Sequence, residues 1–582
     1  MSSNVKVFGK YLALVVALTA IISVIGTSAY FQTIVQPQPY KNATTVTVTA
    51  AEQVRTTTIT MFITTTQMVT TPTPSPSEKP KLEGKPGGTI TIAVEKDEPS
   101  LDPIFSQAGA FTDTIQNHIY ETLLAYDYEM NLVPRLAESF RQVDPITYEF
   151  KIREGVKFHD GTELDAEIVR WNIERILTTP SPRQGQLLMV DRVETLNKYT
   201  VRFTLKFPTS EFLPALTWGT GIVSKAAVEK YGSDYGTAAA IGTGPYKLVR
   251  WVKGDHAVLE RYDDYWGPKP YLDSIIIRVI PEASVRALSL ERGEVQLAQL
   301  ESADAKRLQG RESIKLYLGE PTRMIMISIN QNPETQGTKA LLDKRVRQAI
   351  NYAIDRKALV EAIQEGFAVA GIGPIPPALK QFWSEAIKKY PETADIEKAK
   401  QLLAEAGYPD GFETTLLNFF PWGLPVATVI QAQLAKVGIK VEINNMEFGA
   451  GAEQLLVKRA YDLALHDWAG TGAPTPFGVV GEFYDPAKVG EWQWNLQNVK
   501  DPILEWLIAE LVVQPDLDAQ KGISDALQRR VIEEGYGVIL FYPYKIHAST
   551  LDVKNYHVHP HQWYGFVLWM PVIEAAVWLE RN

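Results

Sequence analysis

Two hydrophobic periods alternate along the chain from Gly88 to the C-terminus. Residues 89–94 and 439–443 alternate apolar and polar side chains with a period of two, which predicts strands. Residues 463–465 form a short apolar run, which is typical of a buried strand. Strands that alternate with helices in this way predict an α/β fold with repeated crossover connections.

Four stretches show the 3.6-residue period of an amphipathic helix together with a boundary residue. An aspartate before such a stretch can cap the first turn, and a glycine after it can end the helix. The predicted helices are 169–177 behind Asp165, 344–363 behind Asp343, 396–406 before Gly407 and 426–434 before Gly438.

The segment DLALHDWAGTGAP, residues 462–474, joins a predicted buried strand to a glycine-rich loop. After Asp467 the loop carries no charge, and it offers the Trp468 ring, the Thr471 hydroxyl and backbone groups. Loops held by a rigid strand often carry binding residues. The pattern predicts that this loop takes part in ligand binding.

The first 31 residues have the order of a secretory signal. Lys6 and Lys10 precede an apolar run over 11–25, and small residues follow as far as Ala29. The pattern predicts either a signal peptide cleaved after Ala29 or an uncleaved anchor, because the uncharged stretch is long enough to cross a bilayer. Both alternatives place the rest of the chain on the extracellular face of the cell membrane.

Residues 32–87 differ in composition from the rest of the chain. Fourteen of the thirty residues over 44–73 are threonine, and TPTPSPS follows. Thr and Pro at this density favour an extended, disordered backbone and offer hydroxyls for O-linked glycans. Asn42 begins an N-glycosylation sequon. The composition predicts an extracellular stalk, and a linker with no mechanical role is the alternative.

Composition and charge exclude several classes of protein. The 582 residues carry a net charge of −10 without a cluster of Lys and Arg, so nucleic acid is not an expected partner. The absence of cysteine excludes disulfides, thiolate nucleophiles, Cys-ligated zinc and a lipidated cysteine anchor. No motif requires a cofactor, and we expect none.

Motifs for enzymatic chemistry are absent from the sequence, and we predict no catalytic residue. There is no GxSxG elbow, no HExxH helix and no complete dinucleotide-binding glycine motif. A glycosidase needs only two carboxylates, which no sequence pattern marks, so a secreted glycosidase stays as an alternative. On a strand, His557, His559 and His561 would share one face and form a metal site. Pro560 interrupts them, and incidental histidines are the interpretation we prefer.

Tryptophans beside glycine or proline are the best candidates for ligand contact. Trp218 lies in LTWGTG, Trp422 in FFPWGLP and Trp468 in HDWAGTG. An indole in a loop can stack on a sugar ring or a side chain while its N–H finds a polar partner. Packing under its own loop is the alternative for any one of them. As a set, we expect at least two to face a cleft.

From Gly88 to the C-terminus the chain resembles the extracellular solute-binding proteins of family 5, the peptide, oligopeptide and nickel binding components of ABC importers. The resemblance rests on ordered motifs: LDPIF at 101–105, YETLLAYDYEMNLVPRLAESF at 120–140, YEFKIREGVKFHDGTELDAEIVRWNIERIL at 148–177, GTGPYKLVRW at 242–251, YWGPKPYLD at 265–273, VRQAINYAIDRKALV at 346–360 and AKQLLAEAGYPDGF at 399–412.

The resemblance implies a periplasmic-binding-protein-like α/β fold of two lobes, of type II and the dipeptide/oligopeptide-binding kind, that encloses ligand between the lobes. An extra small domain would lie in the first lobe. The implied boundaries are 88–322 for the first lobe, 126–240 for the extra domain, 323–545 for the second lobe and 546–582 for a return into the first lobe. The crossings would lie near 321–324 and 544–547.

The resemblance also marks two positions where charges are missing. Peptide-binding members carry an Asp for the ligand's ammonium at the position of Thr471, and dipeptide-binding members carry an Arg for its carboxylate at the position of Leu424. Threonine balances no charge, although a shifted alignment would supply Asp467. We therefore expect an oligosaccharide or an oligopeptide, with a slight lean to a neutral oligosaccharide stacked on the three tryptophans.

The resemblance implies binding without catalysis by a monomeric protein. The open form would capture the solute, close, and deliver it to a membrane permease powered by separate ATPase chains. The N-terminal segment would keep the protein at the membrane near that permease. A surface sensor that binds without delivery is the alternative function.

Overall fold

The computed structural model of the chain describes residues 32–37, 43–49, 57–62, 84–106, 114–335, 337–468, 475–490, 493–561, 564–573 and 575–580. The chain forms two units, Met1–Pro76 and Ser77–Asn582. The predicted signal or anchor segment and Asn42 lie outside the described residues. Within the described residues, no helix is long and apolar enough to span a membrane.

The described residues of the N-terminal unit form three strands. Gln32–Pro37, Ala43–Thr49 and Thr57–Phe62 pair as an antiparallel sheet in chain order. Threonine alternating with valine and isoleucine explains the pairing, because β-branched side chains favour extended strands. Over these stretches the structure has paired strands where the composition predicts a disordered linker.

The first lobe of the C-terminal unit is built on a mixed seven-stranded sheet. Its central strand Thr89–Val94 is parallel to both neighbours. The strands in spatial order are Tyr246–Val252, His256–Arg261, Ser274–Val279, Thr89–Val94, Leu297–Gln299, Lys545–Thr550 and Ile314–Gly319. Because Lys545–Thr550 follows the second lobe in the sequence, the chain returns to the first lobe near its C-terminus.

The second lobe is built on a mixed six-stranded sheet. Leu463–Trp468 is parallel to Glu413–Asn418 and antiparallel to Met324–Ile329. The strands in spatial order are Ala368–Ala370, Gly537–Pro543, Met324–Ile329, Leu463–Trp468, Glu413–Asn418 and Lys440–Asn445.

A separate four-stranded antiparallel sheet forms the small domain in the first lobe. Its strands in spatial order are Ala137–Asp144, Thr147–Ile152, Thr200–Leu205 and Val190–Asn197. The helix Ala166–Thr178 packs on this sheet through Val169, Ile173 and Ile176. The predicted two-lobe α/β fold with an extra small domain is confirmed.

Helices flank the three sheets, and their ends follow the boundary residues of the sequence. The Asp165 carboxylate accepts a hydrogen bond from the Ile168 amide and caps its helix. Gly438 has φ 87°, a conformation that favours glycine, just after the helix that begins at Gly423. The longer helices are Ala166–Thr178, Lys225–Tyr231, Ala283–Glu291, Ser302–Leu308, Lys344–Ala353, Arg356–Gln364, Ile396–Glu405, Gly423–Ala435, Pro502–Val513 and Leu517–Glu534.

The prediction of one helix over 344–363 is wrong, because the structure has two. Lys344–Ala353 ends before Ile354, and Arg356–Gln364 begins a new helix. The Asp355 carboxylate accepts from the Ala358 amide and caps the second helix. The hydrophobic period continues through the break, so the pattern alone does not reveal that Asp355 acts as a cap.

The strand Met324–Ile329 separates two hydrophobic cores of the second lobe. Ile325, Ile327 and Ile329 pack with the helices on one face. Met324 and Met326 face the other core, which also includes Tyr126 and Met130 of the first lobe. The strand is therefore buried on both faces, and Ser328 is its one polar residue.

Candidate functional site

Both connections between the lobes leave from the same end of the strands of the six-stranded sheet. The chain passes from Gly319 in the first lobe to Met324 in the second, and it returns from Pro543 to Lys545. Met324 pairs with Trp468, so the start of one strand lies beside the end of its neighbour. We call this end of the sheet, where Met324 begins its strand and where the strands Leu463–Trp468 and Glu413–Asn418 end, the cleft edge. Ligands of open α/β sheets bind outside the carboxyl ends of parallel strands.

Arg323, Asp467 and Trp422 come together at the cleft edge. The Arg323 Nε donates to the Asp467 carboxylate at 2.7 Å, and both side chains are part-exposed. The Arg323 guanidinium also lies over the Trp422 ring, 5.4 Å from its centroid. Asp467 is thus the partner of a cation of the same lobe, which weakens its case as a lone counter-charge for a ligand ammonium.

The helix Gly423–Ala435 starts at the same edge, directly after Trp422. No side chain caps its first turn, so its N-terminal amides carry partial positive charge towards the cleft edge. Asn418 is fully buried, and a side chain at Gly423 would collide with its Oδ1, which explains the glycine. Leu424, where dipeptide-binding members carry Arg, is the second residue of this helix and is exposed.

Trp468 belongs to the core of the second lobe. Its ring is 7% exposed, and its indole N–H donates to the Val479 carbonyl at 2.9 Å. It packs on Phe483 and Trp494, with ring centroids 4.8 and 5.1 Å away. The indole N–H is therefore not available to a ligand in this arrangement, and a stacking role for Trp468 stays a prediction.

A buried carboxylate links the small domain to the second lobe. The Thr475 hydroxyl, directly after the glycine-rich loop, donates to Glu211 at 2.7 Å. The neighbouring Ser210 amide donates to the Val512 carbonyl of the second lobe at 2.6 Å. Burial raises the pKa of Glu211 to about 7, and the nearby Glu482 carboxylate adds to the effect.

Comparison with known proteins places this site in a family. Residues 131–491 match the bacterial extracellular solute-binding proteins, family 5 middle region. The chain belongs to this family. Its fold and the position of the cleft edge between two lobe crossings agree with that membership.

The family 5 protein has relatives that align over most of their length. The glutathione-binding protein GsiB of Pectobacterium atrosepticum is 29% identical over 489 residues, which cover 82% of this chain and 92% of GsiB. The periplasmic binding protein DppA of Helicobacter pylori, solved with the peptide STSA, is 28% identical and has a TM-score of 0.70. The superposition covers 85% of this chain and 99% of the DppA chain. The oligopeptide-binding protein AppA of Bacillus subtilis, solved with a nonapeptide, is 25% identical with a TM-score of 0.67 and covers 86% of this chain and 100% of its own.

Family membership gives the general role. Family 5 proteins are periplasmic or extracellular components of ABC importers that bind solute without catalysis and work with permease and ATPase subunits. The glycosidase alternative finds no support in these comparisons. The lean towards an oligosaccharide finds none either, because the relatives are named for glutathione and peptides.

Trp218 of this family 5 protein lies in the first lobe. It is 3% exposed and packs in a cluster with Tyr564 and Val567. The guanidinium of Arg183 covers one face of the ring, 3.7 Å from its centroid. Among the described residues, Trp218 makes no ring contact with Trp422 or Trp468.

The three histidines of the HVHPH segment do not share one face of a strand, because the strand Val553–Lys554 ends before them. His557 is exposed, while His559 and His561 are buried. His559 accepts from the His561 amide through Nδ1, so its Nε2 donates to the Tyr126 carbonyl. Both ring nitrogens of His559 are thus engaged. Among the described residues, no group of three acidic or histidine side chains is placed to hold a metal ion.

Thr471 lies outside the described residues, as does the rest of the glycine-rich loop over 469–474. Its proposed hydrogen bond to a ligand stays a prediction. The strand Leu463–Trp468 leads into this loop. Its buried Leu463, Ala464 and Leu465 confirm the predicted buried strand.

Asp462 fixes the start of that strand. Its buried carboxylate accepts six hydrogen bonds from the backbone or hydroxyls of Gly337, Thr338, Thr414 and Thr415, at 2.8 to 3.2 Å. Burial opposes ionisation of Asp462, but these donors outweigh it and lower its pKa below the usual value. The carboxylate therefore ties two neighbouring strands to the connection after Met324–Ile329.

Replacing Asp462 by alanine should lower the free energy of unfolding by about 3 kcal/mol, because buried donors lose their acceptor. Urea denaturation measures the change, with alanine at the exposed Asp518 as the matched control. Since the pKa of Asp462 is lowered in the folded chain, its contribution is present near neutral pH and is lost as the pH falls through that value. Equal stability of the two variants would contradict this role.

Proposed function

We propose that this protein captures a short peptide, or a peptide-like anion such as glutathione, between its two lobes at the extracellular face of the membrane, and delivers it to an ABC permease. Relatives named for glutathione and for peptides support this ligand class. The single observation that carries the proposal is that charges of both signs lie where the lobes meet.

The charges at the lobe boundary suit a zwitterion better than a neutral sugar. The Arg323 guanidinium, hydrogen-bonded to Asp467, lies at the cleft edge of the second lobe, and the Glu211 carboxyl faces that lobe from the small domain. Charged groups removed from water need counter-charges or several hydrogen bonds. A free peptide supplies an ammonium and a carboxylate, whereas a neutral oligosaccharide supplies neither.

A thermal-shift screen of the full chain against two panels tests the proposal. One panel contains glutathione and di- to pentapeptides, and the other contains linear oligosaccharides. A ligand at 100 times its dissociation constant adds about 2.7 kcal/mol to the free energy of unfolding, which raises the melting temperature visibly. We expect a shift with members of the first panel and none with the second. A shift with oligosaccharides alone would contradict the proposal.

A further inference from the structure

We propose that Arg323, on the crossing between the lobes, binds a free carboxylate of the ligand. It would take the role of the arginine that dipeptide-binding members carry at the position of Leu424. This inference rests on the proposed peptide function and adds the chemical group that the site selects. Neither the motifs of the sequence nor the expected positions Thr471 and Leu424 point to Arg323.

The location of Arg323 is set by the register of the sheet. It immediately precedes Met324, which pairs with Trp468 at the end of its strand. Arg323 therefore lies beside the end of the strand Leu463–Trp468, at the cleft edge. Its charge also acts on Glu301 of the first lobe, so it lies within electrostatic reach of both lobes.

The hydrogen bonding of Arg323 leaves the two terminal amino groups of its guanidinium available to a ligand. Nε is taken by Asp467. In the described part of the chain, the two terminal amino groups have no hydrogen-bond partner. The Arg323 side chain is 35% exposed, so a solute can reach it. An arginine with two terminal amino groups free can bind a carboxylate through parallel N–H···O bonds.

Neighbouring groups orient the guanidinium rather than neutralise it fully. Asp467 holds Nε on one side, and the Trp422 ring lies under the guanidinium plane. This contact limits rotation of a long side chain, which reduces the entropy lost when a ligand binds. The start of the helix Gly423–Ala435, directly after Trp422, adds partial positive charge at the same edge.

The arrangement differs from a structural ion pair in a way that can be measured. If Arg323 served only to hold Asp467, removing either charge would have the same effect on ligand binding. If Arg323 binds the ligand, its removal weakens binding, whereas Asp467→Asn keeps a side-chain oxygen that can accept from Nε, removes the competing negative charge, and leaves binding as strong or stronger.

Calorimetric titration of the full chain with trialanine and with trialanine amide tests the inference, with glutathione and its glycine ethyl ester as a second pair. We expect the unmodified chain to bind the free acid about 100-fold more tightly than the amide, because the amide carries no negative charge to pair with the Arg323 guanidinium once the ligand covers it. Arg323→Ala should lose about 100-fold in affinity for the free acid and should bind acid and amide alike. Arg323→Lys should fall between the two, because it keeps the charge without the two parallel donors.

Two further variants keep the test decisive. Asp467→Asn should retain the preference for the free acid, and the double change Arg323→Ala with Leu424→Arg should restore a part of it. Equal affinity of the unmodified chain for acid and amide would overturn the role of Arg323 and leave the peptide function standing. Binding of neither pair, together with a response to oligosaccharides, would overturn the proposed function and this inference with it.

Discussion

Replacing Glu121 by alanine is expected to lower the free energy of unfolding by about 3–5 kcal/mol. Glu121 is buried in the first lobe and pairs with the buried Arg135 at 3.3 Å. Its carboxylate also accepts hydrogen bonds from Thr243, Tyr265 and Trp266 at 2.8 to 2.9 Å. Removing the carboxylate leaves a guanidinium without its counter-charge in the interior, together with three donors that lose their acceptor.

The matched control for this change is Glu138→Ala. Glu138 forms an ion pair with Lys151 in which both side chains are about half exposed, and such pairs contribute about 0–1 kcal/mol. The first unfolding transition in urea should therefore move clearly for Glu121→Ala and little for Glu138→Ala. Similar shifts for the two variants would show that the buried pair does not hold this part of the first lobe together.

Closure of the lobes is expected to depend on pH through Glu211. In the structure the Glu211 carboxyl lies between the lobes with the pKa raised to about 7 by burial, while Thr475 and Ser210 donate to it. Glu482 and the Tyr126 hydroxyl are the titratable groups that interact with it. With the lobes apart, water reaches this carboxyl, and its pKa returns towards about 4.3.

The sign of this dependence follows from the two pKa values. The closed arrangement holds the proton more tightly than the open one, so closure is favoured below about pH 4 and loses this contribution as the pH rises through about 7. A difference of about 2.7 pH units corresponds to about a 500-fold change in the ratio of closed to open forms. The contribution of Glu211 to closure is thus lost as the pH rises, whereas the contribution of Asp462 to folding stability is lost as the pH falls.

The chain contains no cysteine, so two introduced cysteines can carry spin labels without competition. Lys206→Cys and Glu510→Cys place the labels on opposite sides of the contact between Ser210 and Val512. The distance between the labels should lengthen from pH 5 to pH 8. Glu211→Gln should remove this change, while Glu505→Gln, at an exposed site on the neighbouring helix, should not. The same pH profile in the Glu211→Gln chain would rule out Glu211 as the titrating group.

Much of the fold could be predicted from local patterns. The strand Thr89–Val94 and the capped helix behind Asp165 carry strong local signals, and the structure has both. The break at Asp355 was not predictable in the same way, because the hydrophobic period runs through it. There, buried contacts of Arg356 with the Asn351 and Ile539 carbonyls favour two helices.

The candidate site was predictable only where it follows a strand. The buried strand before Asp467 has a clear apolar signal, and Trp422 lies at the cleft edge beside Arg323. Arg323 itself has no signal in the sequence, because its meaning depends on the pairing of Met324 with Trp468, about 140 residues apart. Trp218 illustrates the opposite case, since a tryptophan beside glycine carries the same pattern whether it packs inside or faces a cleft.

The measurement that tests the central claim most directly is the distance between labels at positions 206 and 510 during titration with ligand at fixed pH. The account predicts that trialanine or glutathione shortens this distance in a saturable way, and that maltotriose, a neutral sugar of three units, does not change it. Shortening by maltotriose without any response to either peptide would contradict the claim that this protein captures short peptides between its lobes.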